Sequence, residues 1–310
     1  MATAPYGALV MAYGGPNSIA DVEPYLLDVR GFRPTPPAIV AEVRARYAAI
    51  GGRSPIREQT EAQSRALAAA LTNGRGSVYP VAVGMRHWEP RIPAALAQLR
   101  DAGVRRAVGL VMAPHYSRLS IELYFKQIEA ADQDLEIAPI QEWHLLPEYL
   151  QALATRIAAA LERFPKAVRP TVPIVYTAHS LPERILTWQD PYPAQLAATV
   201  AALRDLVGPD RPQRLAYQSA AMTPESWLGP DAGAVIEELA AAGHRHVLIA
   251  PIGFTTEHVE ILYDVDIVLQ QRARELGVQL ERIAMVGDDA TMVAGLARLV
   301  RQAAEQRGWR

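Results

Sequence analysis

Short apolar runs alternate along the chain with longer segments in which apolar residues recur every three or four positions. The apolar runs predict strands at residues 8–13, 77–83, 107–113, 137–140, 173–178, 215–218, 246–250 and 282–285. The amphipathic segments predict helices at residues 64–71, 93–102, 147–164, 194–206, 232–242 and 292–307. Strands that alternate with helices are typical of parallel sheets covered by helices on both faces. The pattern therefore predicts an α/β fold.

The two halves of the chain predict similar lobes. The sequence Gly-Leu-Val-Met-Ala-Pro-His-Tyr-Ser at 109–117 is weakly echoed by Val-Leu-Ile-Ala-Pro-Ile-Gly-Phe-Thr at 247–255. Three prolines between residues 164 and 173 interrupt the preceding helical pattern and mark the crossover. We therefore predict two Rossmann-like lobes over residues 1–163 and 164–310. Each is a four-stranded parallel sheet flanked by helices, and a ligand cleft lies between them.

Composition narrows the classes of partner and cofactor. The 310 residues include 31 basic and 33 acidic side chains, a net charge of -2, so no overall field would gather nucleic acid or anionic lipid. We expect no nucleic-acid partner. The chain has no cysteine, which excludes disulfides, thiolate zinc sites and iron–sulfur clusters. Any metal must therefore be bound by nitrogen or oxygen, and no resident cofactor is expected.

The apolar segments also bear on location. The N-terminus lacks a basic export region, and the apolar runs are far shorter than the ~20 residues that a membrane helix needs. We expect a cytoplasmic protein with no membrane span.

Chemically useful side chains follow several predicted strands. Ligands of open α/β sheets bind beyond the carboxyl ends of the strands, so these positions are candidates for a site. Tyr13 precedes two glycines at the first strand end, and His179 follows the strand at 173–178. A histidine at a strand tip is suited to accept a proton near neutral pH.

A second candidate is the acidic segment after the strand at 246–250. Glu257, Glu260 and Asp264 are three or four positions apart, so a continuous helix would place them on one face. Such like-charge pairs are unfavourable by roughly 0.2 to 0.5 kcal/mol each on an isolated helix. A bound cation or nearby arginines would offset that repulsion. The alternative is a solvated acidic helix start that the helix dipole stabilises.

A set of motifs resembles one known family across nearly the whole chain. In order, they are Val10-Met-Ala-Tyr-Gly-Gly-Pro, Arg46-Tyr-Ala-Ala-Ile-Gly-Gly-Arg-Ser-Pro, Gly84-Met-Arg-His, Ala113-Pro-His-Tyr-Ser, Thr177-Ala-His-Ser-Leu-Pro, Asp190-Pro-Tyr-Pro, Tyr217-Gln-Ser, Trp227-Leu-Gly-Pro and the segment 253–266. Together they resemble the ferrochelatases, and most of all the bacterial coproporphyrin III ferrochelatases. The resemblance implies a porphyrin held between two lobes, insertion of Fe²⁺, and release of two pyrrole protons. Fe²⁺ and porphyrin are then substrates.

The resemblance also implies roles for the residues at the centre of the cleft. His179 would accept the pyrrole protons and bind the metal, with Glu260 as the facing catalytic carboxylate and second metal ligand. Tyr13 would turn its phenol towards the metal. Asp264 would extend a carboxylate path for metal or protons, whereas Val268 interrupts the acidic row, so an outer metal site is not expected there.

Around the cleft, the resemblance implies residues that bind the ring and its carboxylates. These candidates are Tyr13, Arg30, Arg46, Tyr47, Ser54, Arg118, Ser120 and Tyr124. The arginines belong here because a guanidinium pairs with a carboxylate through two parallel hydrogen bonds.

Three features favour coproporphyrin III, with four propionates, as the porphyrin. The lip at residues 28–37 is short, charged and rich in proline, Tyr13 is typical of the coproporphyrin subtype, and Ala220 replaces an arginine typical of the protoporphyrin subtype. The product would be coproheme, and a downstream coproheme decarboxylase would be a partner. Protoporphyrin IX as substrate and a non-catalytic tetrapyrrole or metal carrier remain alternatives.

Overall fold

The computed structural model describes residues 2–72, 77–131, 134–221 and 223–309. The strands are β1 (Ala2–Thr3), β2 (Gly7–Ala12), β3 (Ser77–Val78), β4 (Val81–Met85), β5 (Arg106–Val111), β6 (Glu136–Ile140), β7 (Ile174–His179), β8 (Gln213–Gln218), β9 (His246–Pro251) and β10 (Gln279–Arg282). The helices are α1 (Val22–Val29), α2 (Pro37–Ala49), α3 (Ile56–Thr72), α4 (Ile92–Asp101), α5 (Ile121–Ala131), α6 (Pro147–Leu161), α7 (Arg184–Thr187), α8 (Tyr192–Val207), α9 (Ala232–Ala241), α10 (Val259–Leu262), α11 (Gln270–Glu275) and α12 (Ala290–Gln306). A π-helix at Asp264–Leu269 joins α10 to α11.

Two four-stranded parallel sheets confirm the predicted fold, and both have the same topology. The order is β4-β2-β5-β6 in the first sheet and β8-β7-β9-β10 in the second, read from the matching edge. In each sheet the first strand pairs with both the second and the third. The strand order therefore reverses beside β2 in one lobe and beside β7 in the other. Such a switch point opens a crevice at the carboxyl ends of the strands.

The central strands are almost wholly buried, as strands covered on both faces must be. All six residues of β2 are buried, and so are the first five of β7. The echoed sequences at 109–117 and 247–255 include the last three residues of β5 and the last five of β9, which are the third strands of the two sheets. The sequence echo thus corresponds to equivalent places in the fold.

Two of the predicted strand boundaries differ from the structure for identifiable reasons. The run at 77–83 divides into β3 and β4 because Pro80 lies between them and offers no N–H group to a sheet. The last strand is β10 at 279–282 rather than 282–285. Only Leu280 is fully buried in this edge strand, whereas the apolar residues Ile283 and Met285 lie buried in the loop beyond it. The periodicity did not reveal α1, α2 or α5.

The C-terminal helix α12 crosses to the first lobe. Arg298 of α12 holds Glu148 of α6 at 2.8 Å, and Arg301 donates to the backbone oxygen of Ala70 in α3 at 2.5 Å. Beyond the helix, the Trp309 ring lies 6.3 Å from that of Tyr6. Helix α12 thus packs on the first lobe, although its residues belong to the second half of the chain. The lobe boundary at residues 163 and 164 stays a prediction.

The lobes also meet near the switch points. The Tyr149 hydroxyl of α6 donates to the backbone oxygen of Ile252 after β9 at 2.5 Å, and Gln63 of α3 donates to the backbone oxygen of Gly287 at 2.8 Å. None of the described helices is long and apolar enough to cross a membrane.

Candidate active site

The functional side chains gather where the two switch points face each other. Tyr13 follows the first strand of the first sheet, and His179 ends the first strand of the second sheet. The third strands, β5 and β9, lead into His115 and into the loop that carries His258 and Glu260. These five residues line a single cavity of about 300 Å³ between the lobes. The duplicated topology therefore accounts for their convergence.

A carboxylate between two imidazoles forms the polar centre of this cavity. One oxygen of Glu260 lies 3.4 Å from Nε2 of His179, and the other lies 3.4 Å from Nε2 of His258. Nδ1 of His179 bonds the backbone oxygen of Ser180, which fixes the proton on that nitrogen. In a neutral His179, Nε2 is consequently the free proton acceptor, and it faces Glu260.

This pairing changes the acid–base behaviour of both groups. Desolvation in the cleft by itself lowers the pKa of His179, but the neighbouring Glu260 carboxylate outweighs it and raises that pKa to about 9. Burial would favour a neutral Glu260, yet the His179 imidazole, assisted by His258, holds the pKa of Glu260 well below its usual range. At neutral pH these two side chains are therefore an imidazolium beside a carboxylate.

Backbone and side-chain contacts fix this pair in place. Tyr192 donates to the backbone oxygen of His179 at 2.9 Å, and Gln218 donates to the backbone oxygen of Glu260 at 2.8 Å. The hydroxyl of Thr177 in turn donates to Oε1 of Gln218 at 2.7 Å. The positions of the catalytic candidates thus depend on the neighbouring strands β7 and β8 and on the first residue of α8.

Glu257, Glu260 and Asp264 do not share one helical face. Glu257 precedes α10 and pairs with Arg282 at 3.1 Å, and Arg282 also holds Asp266 through two bonds of 2.7 and 2.8 Å. Asp264 instead accepts from Ser219 and lies 3.8 Å from Arg46. The π-helix widens the backbone here, as such turns often do near functional sites. Arg282 therefore offsets the charge of Glu257. From the sequence, either a bound cation or nearby arginines were expected to offset the repulsion between these carboxylates, and for Glu257 it is an arginine.

Aromatic rings and one arginine form the wall on the first lobe. The guanidinium of Arg86 lies 5.8 Å from the centre of the Tyr13 ring and 5.6 Å from that of Tyr124. The Tyr13 ring also packs on His87, with centroids 4.6 Å apart. Desolvation raises the pKa of Tyr13 to about 12, against the lowering effect of Arg86, so the phenol keeps its proton at neutral pH.

The structure brings together some of the residues that the sequence nominated. Tyr13, Tyr47, Ser54, Ser120, Tyr124, His179 and Glu260 all line the cavity. Asp264 and Arg46 contact each other and do not line the cavity. Arg30 and Arg118 are exposed at the surface and do not line the cavity either.

Sequence reasoning did not single out several residues of the cavity. His258 and Arg86 lie within the family motifs and Tyr25 lies outside them, but no role was expected for any of the three. His115 is 2% exposed and donates or accepts at Nε2 with the Thr199 hydroxyl, 2.9 Å away. Burial, with a further effect of His144, lowers the pKa of His115 to about 3 and keeps it neutral. His115, His258 and Arg86 could have been predicted as site residues from the sequence, because each follows a predicted strand.

Within the described ranges, no three histidine or carboxylate side chains converge in a way that could hold a metal ion. His179 and Glu260 place one imidazole nitrogen beside one carboxylate, and these are donor types that Fe²⁺ accepts.

Two solved structures illustrate the fold that this chain shares. Over 98% of both chains, the protein matches SirB from Bacillus subtilis with Fe³⁺, with a TM-score of 0.55 and 12% identity. It also matches CbiX, the terminal enzyme for biosynthesis of siroheme in denitrifying bacteria, with a TM-score of 0.55 and 13% identity over 96% of this chain and 99% of that one. At such low identity these matches define the fold alone, which is that of the two-lobed chelatases.

Sequence comparison identifies the family. The ferrochelatase family model matches residues 5–304, and the chain belongs to this family. A ferrochelatase of Herpetosiphon aurantiacus is 41% identical over 94% of this chain and 97% of its own length. The coproporphyrin III ferrochelatase of Geobacillus kaustophilus is 37% identical over 95% of this chain and 94% of its own.

Family membership defines the general activity. The protein is an enzyme of porphyrin and heme biosynthesis, a lyase-type chelatase that inserts metal into a porphyrin. The alternative of a non-catalytic carrier is therefore not retained. The resemblance drawn from the ordered motifs is confirmed.

Replacement of Gly253 tests the tight contact beneath this site. A Cβ atom at Gly253 would lie 2.7 Å from Cβ and 2.9 Å from Cα of Ala178, the residue before His179. We expect Gly253→Ala to lower the free energy of unfolding by about 1 to 3 kcal/mol, as overpacking does, and to lower metal insertion by displacing His179. Urea unfolding and turnover assays would measure both.

Gly229→Ala is the matched control, since the nearest atom to its Cβ is at an ordinary 3.8 Å. Equal stability of the two variants would show that the approach to Ala178 is not tight.

Proposed function

We propose that the porphyrin is coproporphyrin III and that the product of Fe²⁺ insertion is coproheme. The observation that carries this proposal is the position of three arginines, Arg86 in the cavity wall and Arg30 and Arg33 in the exposed lip at its mouth. Arg86 contacts the backbone oxygen of Ser120 and the rings of Tyr13 and Tyr124, and Arg33 contacts the backbone oxygen of Arg30, so these guanidinium groups can still bind carboxylates. Four propionates would provide more partners for them than two. The name of the Geobacillus kaustophilus relative supports the same substrate.

Protoporphyrin IX is the second candidate. The related proteins from Herpetosiphon aurantiacus and Deinococcus radiodurans are 41% and 39% identical to this chain, and both are named ferrochelatase without a stated porphyrin. Both candidates require the same reaction at the ring centre. They differ in the carboxylates that the cleft must bind.

In the proposed mechanism, the arriving Fe²⁺ prepares the proton acceptor. A dication near Glu260 repels the positive charge on His179 and lowers its pKa, so His179 loses its proton. Nε2 of the neutral imidazole then takes a proton from a pyrrole nitrogen as that nitrogen binds the metal. The second pyrrole proton is transferred after His179 has passed the first to Glu260 or solvent. Two protons leave for each Fe²⁺ that enters, so charge is balanced.

Asp264 is proposed to extend this route away from the ring. Burial raises the pKa of Asp264, while its hydrogen bond with Ser219 opposes the rise. A carboxyl whose pKa lies nearer to neutral exchanges protons more readily at physiological pH. Tyr13, on the opposite wall, would present its protonated phenol to the metal.

The chemistry of the product suggests the next enzyme. Coproheme retains its propionates, so a coproheme decarboxylase would act on it next. A cytoplasmic location would allow transfer of coproheme between the two enzymes. Both remain predictions.

Substitutions at the acidic centre test the proton route. We expect His179→Ala to lower metal insertion about 10²- to 10⁴-fold while porphyrin still binds, since that is the usual contribution of a general base. Glu260→Gln should cause a similarly deep loss, and Asp264→Asn a smaller one, because Asp264 does not line the cavity. Anaerobic initial rates with Fe²⁺ would measure all three. A His179→Ala rate within tenfold of wild type, or a greater sensitivity at Asp264 than at Glu260, would contradict the assignment.

The porphyrin preference is tested with both substrates. Each propionate that pairs with an arginine gains about 1.5 to 3 kcal/mol when partly desolvated and much less when exposed. Two further propionates should therefore favour coproporphyrin by roughly one to three powers of ten in kcat/KM. Arg30→Ala should narrow this preference, and Arg46→Ala should narrow it less, because Arg46 already pairs with Glu42 and Asp264.

The comparison is made in detergent-matched buffer, because aggregated protoporphyrin would imitate a preference. Equal kcat/KM values, or a higher value for protoporphyrin IX, would exclude coproporphyrin as the preferred substrate and leave the chelatase activity intact.

A further inference from the structure

An ion cluster outside the catalytic centre connects the end of α1 to the loop after β4. Oδ1 of Asp28 lies 2.8 Å from Nδ1 of His87, and Oδ2 lies 2.5 Å from a guanidinium nitrogen of Arg91. The side chains of Asp28 and His87 are each only 10% exposed. We call Asp28, His87 and Arg91 the clasp. The proposed reaction does not use it.

The position of Asp28 in its helix is locally unfavourable. It lies in the last turn of α1, where the partial negative charge of the helix end repels a carboxylate. The cationic Arg91 and the donating His87 offset that repulsion. The charge of Asp28 therefore depends on its tertiary partners. Through these contacts, α1 is held against the loop after β4.

The clasp adjoins the lip, residues 28–37, at its first residue. The amide of Gly31 donates to the backbone oxygen of Asp28 at 2.9 Å, and the amide of Phe32 donates to that of Leu27 at 2.8 Å. This turn resembles the Schellman arrangement, with Gly31 at φ 62° in the left-handed region. Arg33 then donates through Nε to the backbone oxygen of Arg30 at 3.0 Å. The place of both lip arginines therefore depends on the end of α1.

On its other side, the clasp reaches the cavity wall. The ring of His87 packs on Tyr13, and the proton that His87 donates to Asp28 fixes both the tautomer and the orientation of the imidazole. Tyr25, also in α1, sets its ring 6.1 Å from Trp88 at 86° and directs its hydroxyl to the backbone oxygen of Gly14, 3.5 Å away. One carboxylate thus joins the lip to the residues around Tyr13.

We propose that Asp28 is a positioning residue that holds the lip and Tyr13 in the arrangement that receives the porphyrin. The role in ring binding rests on the proposed function. Asp28 acts through His87, Arg91 and the lip, at a distance from the pair of His179 and Glu260. Its removal should weaken porphyrin binding more than it slows the chemistry at the ring centre, because His179 and Glu260 keep their positions and only the Tyr13 wall is loosened.

Hydrogen exchange tests the structural part without any substrate. In Asp28→Ala the amides of Arg30, Gly31 and Phe32 should exchange about tenfold faster than in wild type, because the end of α1 opens more often. Asp28→Asn keeps the size and one acceptor oxygen, so its effect should be smaller and in the same direction. If Asp28→Ala does not fold, Asp28→Asn and Arg91→Ala serve in its place.

Glu23→Ala is the matched control. Glu23 lies on the same helix and pairs with Arg44 at 3.0 Å, but the side chains of Arg44 and Glu23 are 42% and 61% exposed. Such exposed ion pairs contribute little to stability, so the lip amides of Arg30, Gly31 and Phe32 should exchange hydrogen at the wild-type rate. Unchanged lip exchange in Asp28→Ala, or an equal increase in Glu23→Ala, would overturn the proposal.

Binding and turnover test the functional part. Titration of metal-free coproporphyrin III, followed by fluorescence, should give a Kd about three- to tenfold higher for Asp28→Ala, and KM should rise by the same factor while kcat stays within about threefold. A fall in kcat with unchanged KM, or faster lip exchange with unchanged Kd, would overturn the positioning role. If wild type does not bind coproporphyrin III, the substrate assignment fails instead, and protoporphyrin IX becomes the probe for the same comparison.

Discussion

The chemistry of this cleft depends on a desolvated Glu260 carboxylate held between the imidazoles of His179 and His258. Either charge alone would be unfavourable in this partly desolvated site, where the side chains of His179 and Glu260 are 32% and 29% exposed, and together they stabilise each other. In the proposed mechanism, the pair keeps His179 protonated until a metal dication competes for the Glu260 carboxylate. Under this proposal, metal binding and deprotonation of His179 are coupled, because the metal and His179 both interact with the Glu260 carboxylate.

The duplicated topology brings these groups together. Each lobe opens a crevice beside its first strand, and the crevices face each other, so Tyr13 and His179 approach from equivalent positions in the two sheets. Helix α12 packs from the second half of the chain onto the first lobe, and Tyr149 bonds the loop after β9. The lobes are thereby locked around the cavity rather than joined only by the segment between them.

The sequence predicted the sheets well because buried parallel strands are nearly continuous apolar runs, and β2, β5, β7 and β9 are of this kind. It misplaced β10, an edge strand with a single fully buried residue. A face shared by Glu257, Glu260 and Asp264 was expected from helical spacing, and the π-helix is invisible to that rule. The partners of Asp28 could not be predicted either, since Arg91 lies 63 residues away in the sequence. The sequence motifs were sufficient to identify the family. Contacts between residues distant in sequence became visible only in the folded structure.

The most direct test of this account is the titration of His179 in the enzyme without substrates, measured by NMR of labelled imidazoles. In wild type the pKa should lie at about 9, and in Glu260→Gln it should fall, because the charge that favours the imidazolium has been removed. His258→Gln should leave the pKa of His179 elevated, since Glu260 keeps its charge. A His179 pKa that is ordinary in wild type, or unchanged in Glu260→Gln, would contradict the claim that Glu260 controls the proton acceptor.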